Sequence, residues 1–256
     1  MTIHYPASSD TLGMLVGKHV TKKFGGINAL NDVDFVLHPH EIIGLIGPNG
    51  SGKTTLFNVI SGWYRPERGQ IVYRGQDITG MAMHKIAKLG IGRTFQIVRP
   101  LMNMTLLENV MTAVLYGTKN VRSTKLAHDR AREILQFVGL EHKAFSLPSE
   151  LALEDRKRLE VARALGSSPR VLLLDEVFAG LNSKEIGAAI ELTFRIRDDL
   201  GITIFMIEHV MKAVMKTCSR IVALHYGTKI ADGTPEEVAN NPEVVRAYLG
   251  TKHAAC

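Results

Sequence analysis

Two periodicities divide this chain of 256 residues. Over residues 16–37, Val33, Phe35 and Leu37 alternate with Asp32 and Asp34, which predicts antiparallel strands with one wet face, interrupted by a turn at Phe24-Gly25-Gly26. Residues 42–46, 171–174 and 202–207 are instead unbroken apolar runs of strand length. Runs of that kind suit strands covered on both faces, as in the centre of a parallel sheet. Helical spacing appears elsewhere: Ile186, Ala189, Ile190, Thr193, Ile196 and Leu200 predict an amphipathic helix over residues 184–200. Shorter helices are predicted over 84–89, ending at Gly90, over 131–138, closing at Gly139, and over the basic stretch 156–165. Residues 118–131 are polar with alternating charge and predict a surface connection. Residues 91–96 predict a strand ending at Gln96, and residues 220–224 and 228–231 a hairpin around His225-Tyr226-Gly227. Thr234-Pro235-Glu236-Glu237 has the cap, proline and acid of a helix start.

The chemistry sits at the ends of the apolar runs. After residues 42–46 comes Gly47-Pro48-Asn49-Gly50-Ser51-Gly52-Lys53-Thr54-Thr55, which matches the phosphate-binding pattern G-x-x-x-x-G-K-[ST] at every fixed position and leads into a helical segment, 56–60. The glycines let successive N–H groups of this loop point into one concavity at a helix N-terminus, so a polyphosphate is held with few charged side chains. Lys53 is placed to neutralise the β and γ phosphates, and the Thr54 hydroxyl to ligate Mg²⁺. The run 171–174 delivers Asp175 and Glu176 to a strand's C-terminal end, where ligands of open α/β sheets bind. The first acid is positioned for a metal shell and the second for an attacking water. The run 202–207 ends in Glu208-His209, which places His209 to touch a γ-phosphate. Gln96 reads either as a solvated strand end or as a group that meets a metal or a water. Phe24, beside a turn, reads as core or as a ring that stacks on a base. Met102, Met104 and Met111 read as core packing rather than as a cofactor box, although methionines also suit a partner groove.

Composition narrows the class. Hydrophobic residues make up 45% and charged residues 22%, as in an ordinary globular domain with a sizeable core. No run approaches the roughly 20 apolar residues of a membrane span, and residues 1–14 lack the basic flank and apolar block of a secretory signal. Two cysteines far apart in sequence predict a reducing compartment without a disulfide framework. A net charge of +6 suits nucleotide phosphates, an anionic membrane surface or nucleic acid. With one Trp and no arginine tract interleaved with aromatics, nucleic acid is the weaker partner.

The order of these elements resembles the nucleotide-binding subunits of ABC transporters over residues 16–250. The resemblance rests on the loop 47–55, Gln96 as the Q-loop, 171–176 as the Walker B strand, Ala179-Gly180-Leu181-Asn182 as the D-loop and His209 as the switch histidine. Phe24 falls where that family stacks an aromatic on adenine. More narrowly, Leu56-Phe57-Asn58, Gly92-Arg93-Thr94-Phe95-Gln96, Ile207-Glu208-His209 and the stretch 241–250 resemble the ATPase subunits of the branched-chain amino acid uptake branch. That resemblance implies an α/β phosphate-loop cassette spanning 14–250 between short tails, with a mostly parallel core sheet, an antiparallel β subdomain and a helical subdomain near 97–168. It implies ATP and Mg²⁺ as ligands, with Glu176, His209 and Gln96 in catalysis, Phe24 and residues 47–55 on the nucleotide, and Thr54, Gln96 and Asp175 on the metal. It also implies a second cassette, transmembrane permease subunits, an indirect link to a solute-binding protein, no nucleic acid, and the cytoplasmic face of the cell membrane.

One departure stands out. The family's signature, usually Leu-Ser-Gly-Gly-Gln, aligns with Leu151-Ala152-Leu153-Glu154-Asp155. The hydroxyl is gone and a glutamate replaces a glycine, so an anion stands where the partner's γ-phosphate is expected. This predicts hydrolysis with a different cassette rather than with a second copy. The competing readings are a phosphate-loop kinase, a non-transport ABC protein, and an ATP-binding regulatory module with little hydrolysis.

Overall fold

In a computed structural model of the chain, which describes residues 13–95, 100–119 and 121–249, the two apolar patterns build two separate sheets. The alternating stretch gives β1 (Leu15–Phe24) and β2 (Ile27–Leu37), antiparallel about Gly25, whose φ of 57° supplies the turn. β3 (Ile42–Ile46) then runs into the phosphate loop and α1 (Lys53–Ile60). β4 (Arg68–Tyr73) and β5 (Gln76–Asp77) return to β1 and complete a four-stranded antiparallel sheet in the order β2-β1-β4-β5. Next come α2 (Met83–Leu89) and β6 (Ile91–Arg93). A helical group follows, α3 (Leu106–Tyr116), α4 (Thr124–Phe137) and α5 (Leu153–Gly166), in which α3 packs on both others. The chain continues through β7 (Val171–Asp175), α6 (Ser183–Asp198), β8 (Thr203–Ile207), α7 (Met211–Thr217), β9 (Arg220–His225), β10 (Thr228–Gly233), α8 (Pro235–Ala239) and α9 (Pro242–Leu249).

The second sheet has the order β10-β9-β3-β8-β7-β6, parallel throughout except for the edge strand β10. Every residue of β3, β7 and β8 is buried. Because side chains alternate across a strand, Ile43, Leu45, Leu173, Phe205 and Ile207 enter one core with the antiparallel sheet and α1. Ile42, Ile46, Leu172, Leu174, Ile204 and Met206 enter a second core under the helices. That double burial is why these strands read as unbroken apolar runs.

Three expectations need correction. Residues 118–131 are not a connection throughout: α4 starts at Thr124, capped by the Ser123 side chain, which accepts from the Leu126 N–H. Its buried stripe is Ala127, Ala131 and Leu135, and two small alanines leave too little apolar signal among the charges. The strand predicted to reach Gln96 ends at Arg93, and Gln96 itself lies outside the described residues. Of the three methionines, Met111 packs against the core while Met102 and Met104 are exposed.

Candidate nucleotide site

The parallel strands bring their C-terminal ends to one crevice: β3 delivers the phosphate loop, β7 Asp175 and Glu176, and β8 Glu208 and His209. The register pairs Asp175 with Ile207, so the residue after each, Glu176 and Glu208, leaves the sheet side by side.

The loop is shaped by its glycines. Gly47 has φ 147° and Gly52 φ 103°, and a Cβ there would sit 2.1 Å from the Leu224 carbonyl or 2.4 Å from the Ala29 carbonyl. No other residue fits either position. Asn49 and Gly50 are exposed at the tip, and at the start of α1 Thr54 is exposed and Thr55 half-buried. This helix opens on Gly52 with no side-chain cap and no acid in its first turn, so its N–H groups and positive dipole end stay available to an anion. Lys53 donates to the Gly47 and Pro48 carbonyls at 2.7 and 2.9 Å, and burial lowers its pKa against the opposing pull of Glu176 and Asp175. The Ser51 hydroxyl, beside Gly47, is buried without a hydrogen-bond partner. From the far end of the chain, the Tyr248 hydroxyl accepts the Gly47 N–H at 2.8 Å.

Asp175 is 3% exposed, and burial raises its pKa despite the adjacent Arg93. Its N–H donates to the Thr94 hydroxyl at 3.0 Å, its Oδ2 accepts from Arg93 at 3.1 Å, and its Oδ1 is buried with no partner. An unsatisfied carboxylate oxygen beside a phosphate cradle, in a groove that Thr54 also lines, fits a hydrated divalent cation. Glu176 has φ 53°, rare for a residue with a side chain. Its N–H donates to the Ile207 carbonyl at 2.9 Å, and its own carbonyl accepts Lys157 Nζ at 2.7 Å. These two bonds hold a conformation worth about 1–3 kcal/mol of strain, and they turn the carboxylate toward His209, whose Nε2 lies 2.6 Å from Glu176 Oε1. Beneath them Glu208 accepts the Phe178 N–H at 2.8 Å, and burial pushes its pKa up to about 7.

Phe24 is two-fifths exposed at the tip of β1, edge-on to Tyr64 at 5.0 Å with Lys22 Nζ 5.3 Å from its ring centre. It is a presented ring, not core. The sequence patterns assign no role to Arg93, Lys157, Glu208 or Tyr248, although three of them lie in stretches that carry the family resemblance. The signals for Glu208 and Arg93 were present, a charged group closing an apolar strand in each case. Nothing local marked Tyr248.

The helix that begins just after residues 151–152 contrasts with α1. α5 opens on Ala152 with no side-chain cap, and its first turn carries Glu154 and Asp155. Neither acid is bare: Glu154 pairs with Arg158 one turn on, and Asp155 with Lys143 at 2.5 Å. Between α2 and β6 on one side and α3 and α5 on the other lies a groove of about 760 Å³, lined by Trp63, Phe95, Tyr116 and Arg163 among others. At its floor Glu160 accepts the Phe95 N–H at 2.9 Å, and burial raises its pKa to about 7. Among the described residues no helix is long and apolar enough to cross a membrane.

The chain matches the ABC transporter family over residues 30–179 and the branched-chain amino acid ATP-binding cassette transporter family over residues 228–254. It is 43% identical over 240 residues to the high-affinity branched-chain amino acid transport ATP-binding protein LivG of Escherichia coli (strain K12), covering 89% of this chain and 94% of that one. Among solved structures it is similar to the ADP conformation of MJ1267, an ATP-binding cassette of an ABC transporter, with TM-score 0.84, 29% identity and 94% of this chain and all of that one covered. A dimeric, post-hydrolysis cassette, MJ0796 bound to ADP and Pi, matches with TM-score 0.78 and 27% identity over 87% of this chain and 99% of that one.

Proposed function

This chain belongs to the ATP-binding subunits of ABC transporters, in their branched-chain amino acid type, and we propose that it drives import of branched-chain or other hydrophobic amino acids by binding and cleaving Mg-ATP. The reading rests above all on one convergence: the uncapped loop and α1, the half-satisfied Asp175 and the Glu176–His209 pair all stand at the C-terminal ends of neighbouring parallel strands. In it, residues 47–55 hold the phosphates through backbone N–H groups. Lys53 exchanges its two carbonyls for phosphate oxygens, and Phe24 stacks on the base. Thr54 and Asp175 hold the magnesium shell, together with Gln96, and the metal when bound neutralises charge developing on the phosphates. Glu176 accepts the proton of the attacking water, with His209 fixing its carboxylate through the 2.6 Å contact.

Hydrolysis in this reading needs a second cassette. In it, the start of α5 stands where the family's signature is expected, and it carries an uncapped Ala152 and Glu154 in place of hydroxyl and glycine donors. The ion pair with Arg158 softens that charge but does not remove the bulk of the side chain. A partner with an intact Leu-Ser-Gly-Gly-Gln segment would complete the site over Lys53, whereas two copies of this chain would place Glu154 against each γ-phosphate. In this reading a permease subunit docks on the groove with exposed Trp63, Phe95 and Tyr116, at the cytoplasmic face of the membrane; the exposed rings support it. The test is co-expression with permease and second-cassette subunits in proteoliposomes: ATP-dependent leucine or valine uptake, abolished by Lys53→Ala, is expected. Uptake indifferent to that substitution would refute the proposal.

A further inference from the structure

Among the described residues Arg93 is the guanidinium that pairs with Asp175, and several groups hold it there. It closes β6, which runs parallel to β7 with Arg93 paired to Leu173. Its side chain is only 7% exposed, and that of its partner Asp175 2%. One terminal nitrogen donates to Asn58 Oδ1 at 2.7 Å and Ser61 Oγ at 2.9 Å, on and just after α1. The other donates to Asp175 Oδ2 at 3.1 Å. The rings of Phe57 and Phe95 lie 5.7 and 5.1 Å from the guanidinium carbon, so the planar group is confined as well as bonded. Three hydrogen bonds therefore run through this one buried side chain, whose Nε is left without a partner, and they join the phosphate-loop helix to the end of β7.

The consequence falls on the carboxylate. Arg93 occupies Oδ2, and the Thr94 hydroxyl fixes the backbone of the same residue, while Oδ1 is left buried and without a protein partner. A carboxylate gripped on one oxygen presents the other in a fixed direction. We propose, resting on the nucleotide-site reading above, that Arg93 is a positioning residue for magnesium: it clamps Asp175 to α1 through Asn58 and Ser61, so that Oδ1 is the oxygen offered to the metal shell. Groups that orient metal-binding carboxylates in this way typically carry about 10- to 100-fold in metal affinity.

The experiment measures ATP binding to the full chain with and without magnesium, together with manganese titration followed by electron paramagnetic resonance. Arg93→Gln should leave ATP affinity in EDTA within about twofold, because the amide cradle does not involve Arg93. It should weaken the apparent affinity of the ATP complex for Mn²⁺ or Mg²⁺ by about tenfold or more. The double variant Asn58→Ala/Ser61→Ala, which keeps the guanidinium but releases its tether, should show part of the same loss. It also carries the test if Arg93→Gln does not fold. Unchanged metal affinity in folded variants would overturn the proposal, since Arg93 would then be a packing residue only. Tighter metal binding would overturn it too, because Arg93 would then be a cation competing for the carboxylate. Loss of ATP binding in EDTA in the unaltered chain would instead overturn the nucleotide-site reading itself.

Discussion

Glu208 is an acid that the fold holds at a measurable cost. It is 1% exposed, with one oxygen on the Phe178 N–H at 2.8 Å and the other buried with no hydrogen-bond partner. Burial raises its pKa from 4.5 to about 7, against the pull of the Phe178 N–H and Lys157. The sign follows from linkage. Below pH 4.5 the carboxyl is neutral whether the chain is folded or not, and nothing is lost. Between 4.5 and 7 the unfolded chain releases a proton that the folded chain keeps, so stability falls with rising pH by up to about 1.4 kcal/mol per unit. Above 7 both forms are ionised and the loss levels off at about 3 kcal/mol. Glu208→Gln keeps an oxygen for Phe178 and cannot ionise. It should therefore be close to the unaltered chain in stability at pH 4.5 and more stable by up to about 3 kcal/mol at pH 8.5, a rise in Tm of roughly 6–12 °C for a chain of this size. Urea denaturation or thermal unfolding at the two pH values reads this directly. A glutamine variant that gains nothing at pH 8.5, or gains equally at both values, would refute the reasoning, because the stabilisation would not then come from removing a buried charge.

Three further predictions concern the site. Glu176→Gln should retain ATP affinity within about threefold while turnover falls by about 10²- to 10⁴-fold, in assays with the partner cassette present; unchanged turnover would remove Glu176 from the proton transfer. Glu154→Gly should raise the ATPase activity of this chain on its own, with a steeper dependence on its concentration, at a helix cost of about 1 kcal/mol. If the purified unaltered chain is already a vigorous, cooperative ATPase, the case for a distinct partner fails. Tyr248→Phe deletes the acceptor of the buried Gly47 N–H, a loss of about 1–3 kcal/mol. If the loop carries that cost, ATP affinity falls about tenfold with kcat little changed, and calorimetric titration showing equal affinities would rule out a role for α9 in shaping the loop.

What could be read along the chain, and what could not, divides by the range of the interaction. Runs and periods are local, so the strands β3, β7 and β8, the turn at Gly25 and the capping box at Thr234 and Glu237 were all legible. The phosphate loop was legible for a second reason: its glycines answer to backbone contacts that no side chain tolerates, and that demand is written into the residue type itself. Where a helix buries only Ala127, Ala131 and Leu135, the local signal fades, and α4 was in part read as a connection.

Charge was the hardest to read, because its meaning depends on a partner far along the chain. Glu154 alone spells an anion at a helix start, but folded it sits on Arg158. Arg93 alone is one basic residue closing a short strand. Only the parallel register of β6 on β7 brings it to Asp175, 82 residues away in sequence. The same register argument applies to Glu176 and Glu208, set side by side because Asp175 pairs with Ile207. One of these acids is turned out to His209 and the other turned in to Phe178. Glu176 has the left-handed φ of 53°, and its side chain keeps 16% exposure beside His209. The inward acid closes the space behind it and braces, through the Phe178 N–H, the turn that holds that strain. Glu208 thus reaches from the end of β8 to the turn after β7 that carries Glu176, the carboxylate proposed for proton transfer, and substitution of Glu208 by a residue that cannot accept the Phe178 N–H should loosen Glu176.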